Sequence, residues 1–179
     1  KYFSTLHILK YYYYRDMKKR VIDFNKYFMP DLNKARKRLN DAQIINDSFE
    51  IPANVVNIGN NKNYHIRTYG CQSNLRDTET MKGICELLGY KWVDDIYQAD
   101  LVILNTCAVR ENAEEKVFGE IGMLKKIKYT NPNFIFGIAG CMSQEEVVVK
   151  RILTNHEHID FILGTHNIFR LPQIIEQAI

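Results

Sequence analysis

From about residue 64 the chain alternates short apolar runs with longer segments in which apolar residues recur every three or four positions. Short apolar runs between turn residues are typical of buried strands, whereas the three-to-four spacing is typical of amphipathic helices. In chain order this pattern predicts strands at 64–69, 90–93, 100–104, 133–139 and 161–163, and helices at 74–88, 111–128, 143–153 and 167–178.

Local features support the helix predictions. Gly89 follows the first helix directly, and glycine is a common helix stop. In segment 111–128 the acids come early and the lysines late, which complements the helix dipole. Apolar strands that alternate with helices form βαβ units around a parallel sheet. We therefore expect an α/β fold, a doubly wound, flavodoxin-like parallel sheet of about five strands.

Residues 1–62 have a different character and are predicted to form a basic, partly helical N-terminal extension. Residues 1–60 hold 11 Lys and Arg against 6 Asp and Glu, while residues 61–179 hold 13 against 15. Residues 31–46 consist largely of helix formers, and the turn-rich GNNKN at 59–63 marks the domain boundary. Met17 opens the run MKKR, which raises the question of whether residues 1–16 are native.

Composition excludes several classes of protein. A hydrophobic content of 46% with 25% charged residues is that of a globular chain. The net charge of +3 is too small to indicate nucleic-acid binding by itself. The sequence has no apolar run of the length that crosses a membrane and no convincing signal peptide, so we expect a cytoplasmic protein. In the reducing cytosol, cysteines are more often ligands, catalytic groups or core residues than disulfides.

Three of the four cysteines follow predicted strands, and this is the most informative feature of the sequence. HIRTYGC ends at Cys71, LVILNTC at Cys107 and FIFGIAGC at Cys141, with separations of 36 and 34 residues. The carboxyl ends of parallel strands meet at one edge of a sheet, so the three thiols are expected to converge. The small residues before them, Gly70, Thr106 and Gly140, would let a bulky ligand approach. The helix N-termini that follow would lower the thiol pKa values.

The remaining candidate ligands are weaker. Cys85 shares a helix face with Met81, Ile84 and Leu88, which predicts core packing. Among the histidines, only His166 follows a strand closely enough to be a fourth ligand, although a surface position fits it better. Three thiolates with one open position suit an iron–sulfur cluster, and three thiolates with a histidine suit zinc.

The segments TYGCQSNLRDTE, NTCAVRENAEEKVFGEIG and GIAGCMSQEE resemble the N-terminal domain of the radical-SAM methylthiotransferases. The resemblance covers about residues 63–179, and its nearest branch modifies N6-isopentenyl-adenosine in tRNA. It implies that Cys71, Cys107 and Cys141 bind an auxiliary [4Fe-4S] cluster whose open iron carries or activates the transferred sulfur. The implied product is a 2-methylthio group on the adenosine next to the anticodon.

The same resemblance implies S-adenosylmethionine and a second [4Fe-4S] cluster in a radical-SAM domain. That domain needs a CxxxCxxC run, which is missing here along with an RNA-binding barrel, so this domain alone is expected to be inactive. The expected partner is tRNA, bound through the full-length protein, with no membrane and with a monomeric state. The sulfur donor is not indicated.

Polar neighbours of the cysteines are further candidates. Gln72, Ser73, Asn74 and Thr106 are expected either to cap helices or to hydrogen-bond cluster sulfurs. Arg110 could neutralise cluster charge, meet a substrate phosphate or form a surface ion pair.

Alternative functions stay open at this point. Within the family, the substrate could be threonylcarbamoyl-adenosine in tRNA or an aspartate of a ribosomal protein. Outside it, the fold could be a zinc-binding or flavin-binding module, although no glycine-rich phosphate loop follows a predicted strand.

Overall fold

A computed structural model of the chain describes residues 21–22, 51–108 and 113–179. Its strands are β1 Val21–Ile22, β2 Asn63–Tyr69, β3 Lys91–Trp92, β4 Leu101–Thr106, β5 Ile135–Gly140 and β6 Phe161–Leu163. Its α-helices are α1 Gln72–Leu87, α2 Ala113–Thr130, α3 Glu146–Asn155 and α4 Leu171–Ala178. Short 3₁₀ segments lie at Ile96–Gln98, Cys141–Gln144 and Thr165–Arg170.

The sheet is parallel throughout, in the order β1-β6-β5-β4-β2-β3. The five predicted strands are all present, and without β1 their order is that of flavodoxin-like sheets. β1 was not predicted, because a two-residue strand has no periodicity to detect; it pairs Val21 with Phe161. The chain reverses its direction of winding at β2 and β4, so the topological switch point lies between these two neighbours.

Helices cover both faces, as a doubly wound fold requires. On one face α1 and α4 pack against the sheet through residues that include Met81, Ile84, Leu171 and Ile175. On the other face, the buried residues of α2 and α3 include Val117, Ile121, Leu124, Val149 and Ile152. β4 and β5 lie between these layers, and all of their residues are buried. This burial explains why their sequences are apolar runs instead of alternating patterns.

Gly89 ends α1 as predicted. Its φ of +92° is in the left-handed region, and the Gly89 and Tyr90 amides donate to the carbonyls of Glu86 and Cys85. This pairing is a Schellman motif, in which glycine is favoured because a Cβ would be strained.

Only part of the predicted N-terminal extension belongs to the described residues. The helix expected at 31–46 lies outside the described residues. Val55, from the segment before β2, is fully buried in the layer that holds α1. The domain division at residue 62 stays a prediction. In the part of the chain that is described, no helix combines the length and the apolar character needed to cross a bilayer.

Candidate metal centre

The three strand-end cysteines occupy equivalent places at one edge of the sheet. Cys71 is the N-cap of α1 just after β2, Cys107 follows β4 directly, and Cys141 opens the 3₁₀ segment after β5. These strands are adjacent, and their last residues are in register: Tyr69 lies opposite Thr106, and Thr106 lies opposite Gly140. The predicted location at the carboxyl edge of the switch region is therefore correct.

Two of the three thiols lie near each other. The Cys107 thiol is close enough to Cys141 to raise the pKa of the Cys141 thiol. The Cys141 sulfur also accepts the backbone N–H of Ala108 at 3.0 Å and lies 3.7 Å from the carbonyl oxygen of Thr106. Cys107 is only 2% exposed, whereas Cys141 is partly buried. A backbone N–H that donates to sulfur stabilises the thiolate form of that sulfur.

Cys71 joins this pair indirectly. Its thiol and its backbone N–H both donate to Asn74 Oδ1, at 3.4 and 3.2 Å. Asn74 Nδ2 in turn donates at 3.1 Å to the Thr106 carbonyl that also faces the Cys141 sulfur. Within residues 51–108 and 113–179, no three His, Cys, Asp or Glu side chains are close enough together to hold a metal ion. The structure thus pairs Cys107 with Cys141 and keeps Cys71, whose side chain is exposed, one asparagine away.

A buried amide network lies directly beneath the cysteines. Asn105 is fully buried; it accepts from Asn74 Nδ2 at 3.0 Å and donates to the Asn74 carbonyl at 2.7 Å and to Thr78 Oγ1 at 2.9 Å. The Thr78 and Thr68 hydroxyls share a further hydrogen bond of 2.7 Å. The network connects α1 with β2 and β4, and the sequence analysis did not identify Asn105 or Thr78. An asparagine at the last-but-one position of a fully buried strand was the available signal.

The glycines before Cys71 and Cys141 serve this network. A Cβ on Gly70 would lie 2.3 Å from Asn74 Oδ1, and one on Gly140 would lie 2.2 Å from the Thr106 carbonyl oxygen. Gly140 also has a φ of +99°, which disfavours any side chain. Close contacts within the protein therefore require glycine at both positions, and the expectation that they let a bulky ligand approach stays a prediction.

The helix N-termini were expected to lower the thiol pKa values, and for Cys141 this expectation is wrong. Burial raises its pKa, the neighbouring Cys107 thiol adds to the rise, and the Ala108 N–H offsets only part of it. Cys85 lies in the apolar layer with α1 as predicted, and burial raises its thiol pKa far above the ordinary value. Cys85 is therefore a core residue.

The other predicted polar residues take different positions. Thr106 is buried and donates to the Ala139 carbonyl at 2.9 Å, while Gln72 and Ser73 are exposed in the first turn of α1. Arg110 lies outside the described residues. His166 is exposed. Burial raises the pKa of the Asp77 carboxyl in α1, and the nearby Arg76 and His166 oppose that rise.

A buried carboxylate near this edge was also missed. Glu120 of α2 is 2% exposed and accepts hydrogen bonds from the Arg67 guanidinium and the Tyr69 hydroxyl, both on β2. Burial and the Glu120 carboxylate raise the pKa of Tyr69, which stays a neutral donor. Glu120 stands three residues after Val117 and four before Leu124, on the apolar face of the helix. A charged residue on such a face predicts a buried partner.

Comparison with known proteins gives one family match. Residues 63–164 match a family described as "Uncharacterized protein family UPF0004". The matched segment begins at β2 and ends just after β6, so it contains all three strand-end cysteines and the network beneath them.

Curated relatives extend this similarity over most of the chain. A protein of Malacoplasma penetrans is 60% identical over 157 residues, which is 88% of this chain and 32% of the relative. Relatives in Oceanobacillus iheyensis and Bacillus subtilis are 53% and 48% identical over 84% and 90% of this chain. All three are named tRNA-2-methylthio-N(6)-dimethylallyladenosine synthase. The chain spans about a third of the length of these relatives (32%, 29% and 33%).

Proposed function

Because the chain belongs to protein family UPF0004, we propose that it is the cluster-binding part of a tRNA methylthiotransferase. The names of its curated relatives support the assignment to a tRNA methylthiotransferase. Since the chain matches only about a third of each relative, we propose the activity for the full-length protein. The radical-SAM chemistry, S-adenosylmethionine and a second [4Fe-4S] cluster belong to that longer protein, and this domain alone is inactive.

Cys71, Cys107 and Cys141 are the proposed ligands of the auxiliary [4Fe-4S] cluster. The observation that carries this assignment is the connection of Cys141 and Cys71 to the same Thr106 carbonyl, directly and through Asn74, with the Cys107 thiol close to Cys141. The donor set fits iron, because thiolates are the ordinary protein ligands of iron–sulfur clusters. When bound, the cluster would supply an iron without a protein thiolate, at which the transferred sulfur is held.

The protein groups around the thiols have separate tasks in this proposal. The Ala108 N–H, 3.0 Å from Cys141 Sγ, stabilises negative charge on that sulfur. Asn74 orients Cys71 through its side-chain oxygen. Because Cys71 is exposed, its side chain has room to change rotamer, and its side of the site is open to substrate.

Other candidates have less defined roles. We propose Gln72 and Ser73, exposed in the same turn as Cys71, as hydrogen-bond donors to cluster sulfurs. Arg110 is proposed to neutralise cluster charge or contact a tRNA phosphate. A zinc site of the three cysteines and His166 is the alternative, and metal analysis of the purified protein distinguishes zinc from iron.

The proposed substrate is the N6-isopentenyl-adenosine next to the tRNA anticodon. In a strain that lacks the complete gene, the 2-methylthio form of this nucleoside should disappear and the isopentenyl form should accumulate. Mass spectrometry of digested tRNA measures both nucleosides. An unchanged methylthio level contradicts the substrate assignment. Loss of the methylthio form of threonylcarbamoyl-adenosine instead would identify the other tRNA branch, and loss of methylthio-aspartate in a ribosomal protein would identify the third.

A further inference from the structure

We infer that Glu120 is a positioning residue for the cysteine site and acts on it through Tyr69. The inference rests on the proposed cluster-binding function, but part of its test does not depend on iron. The arrangement of the cysteines does not by itself explain why the Glu120 carboxylate is buried, and a positioning role would explain it.

Glu120 is held by hydrogen bonds from two side chains of β2. Its carboxylate is 2% exposed and receives one hydrogen bond on each oxygen, from the Arg67 guanidinium and from the Tyr69 hydroxyl. The Arg67 side chain remains 39% exposed, so the cation that pairs with the buried carboxylate is partly solvated. A carboxylate with both oxygens occupied by β2 side chains fixes α2 against β2 in one geometry.

Tyr69 in turn contacts the cysteine site through its backbone. The Tyr69 carbonyl accepts the backbone N–H of Cys107 at 2.9 Å, and Cys71 follows Tyr69 by two residues. The Tyr69 ring is thus held by Glu120, while its backbone holds one proposed ligand and leads to another. Cys71 and Cys107 are therefore both connected, through the Tyr69 backbone, to the residue that the Glu120 carboxylate holds.

A second ion pair on α2 provides a matched comparison. Lys128, in the last turn, contacts Asp160 at 2.7 Å, and the two side chains are only 13% and 15% exposed. Asp160 accepts the backbone N–H of Phe136 in β5 and precedes β6, so this pair lies towards the amino edge of the sheet. It joins the same helix to the same sheet, away from the cysteines.

The experiment compares Glu120→Gln and Tyr69→Phe with Lys128→Met, each in protein reconstituted with iron and sulfide. We expect the first two variants to release iron to a chelator about tenfold faster than wild type, as loss of an outer hydrogen-bond partner typically does. Lys128→Met should release iron at the wild-type rate, even where its urea midpoint falls further. Release that follows the urea midpoint in all three variants, or that is unchanged in Glu120→Gln, would overturn the inference.

A second readout uses iron-free protein. Alkylation of Cys107 by iodoacetamide, followed by peptide mass spectrometry with Cys85 as internal reference, should be faster in Glu120→Gln and Tyr69→Phe. An increase of roughly threefold to tenfold is expected for the loss of one restraining hydrogen bond. Equal labelling in these variants and Lys128→Met would overturn the inference. If wild-type protein binds no iron, the cluster proposal fails, and the labelling alone decides whether Glu120 positions Cys107.

Discussion

Replacing Gly140 with alanine is expected to cost about 3–5 kcal/mol of unfolding free energy, from the sum of backbone strain and overpacking. The new Cβ would stand 2.2 Å from the Thr106 carbonyl oxygen and 2.5 Å from Asn105 Oδ1. The first of these atoms is backbone in the neighbouring strand and cannot move aside cheaply. In addition, the φ of +99° is strained for any L side chain. Such a loss is a large part of the stability of an ordinary domain.

Gly122→Ala is the matched control. Gly122 lies exposed in α2, and a Cβ there meets nothing within 4 Å. Alanine should stabilise that helix by about 0.5–1 kcal/mol, because it restricts the unfolded chain. Urea unfolding of iron-free protein measures both changes. Equal midpoints for Gly140→Ala and wild type would show that β4 and β5 do not approach at this point as described.

Replacing Asn105 with leucine is expected to cost about 2–4 kcal/mol, because a buried polar network loses its central member. The change keeps the volume roughly constant but removes an acceptor from Asn74 and a donor from Thr78. Asn74 is also the residue that orients Cys71, so iron retention after reconstitution should fall together with stability.

A surface control and a double-mutant cycle test whether the loss in Asn105→Leu comes from the hydrogen-bond network. Asn155→Leu, at the exposed end of α3, should change stability by no more than about 0.5 kcal/mol. In a cycle with Asn74→Leu, the double variant should lose less than the sum of the single losses, because the two side-chain amides share a hydrogen bond. Additive losses in urea unfolding would contradict a shared network.

Much of the fold could be predicted because β4 and β5 are buried on both faces and therefore appear as continuous apolar runs. The helix after β5 was predicted to begin at 143 but begins at Glu146. Ser143 instead closes a 3₁₀ turn, where its hydroxyl bonds the carbonyls of Gly140 and Leu163 at 2.6 and 2.7 Å. That second partner is twenty residues away, so no local pattern could indicate it.

The site was predictable to the level of strand ends and no further. Three cysteines at equivalent strand ends fix a shared edge, because parallel strands end together. Which thiols lie close together depends on Asn74, whose side chain bonds both to Cys71 and to the Thr106 carbonyl in the folded protein. The Glu120 contact joins residues more than fifty positions apart and was equally hidden from local patterns.

The central claim is that Cys71, Cys107 and Cys141 together bind one [4Fe-4S] cluster. Its most direct test is anaerobic reconstitution with iron and sulfide, followed by iron and sulfide counts and electronic spectra. Wild type and Cys71→Ala, Cys107→Ala, Cys141→Ala and Cys85→Ala would be compared. We predict about four irons per chain in wild type and in Cys85→Ala, and loss of the cluster in the other three. Zinc or no metal in wild type, with all four variants alike, would contradict the account.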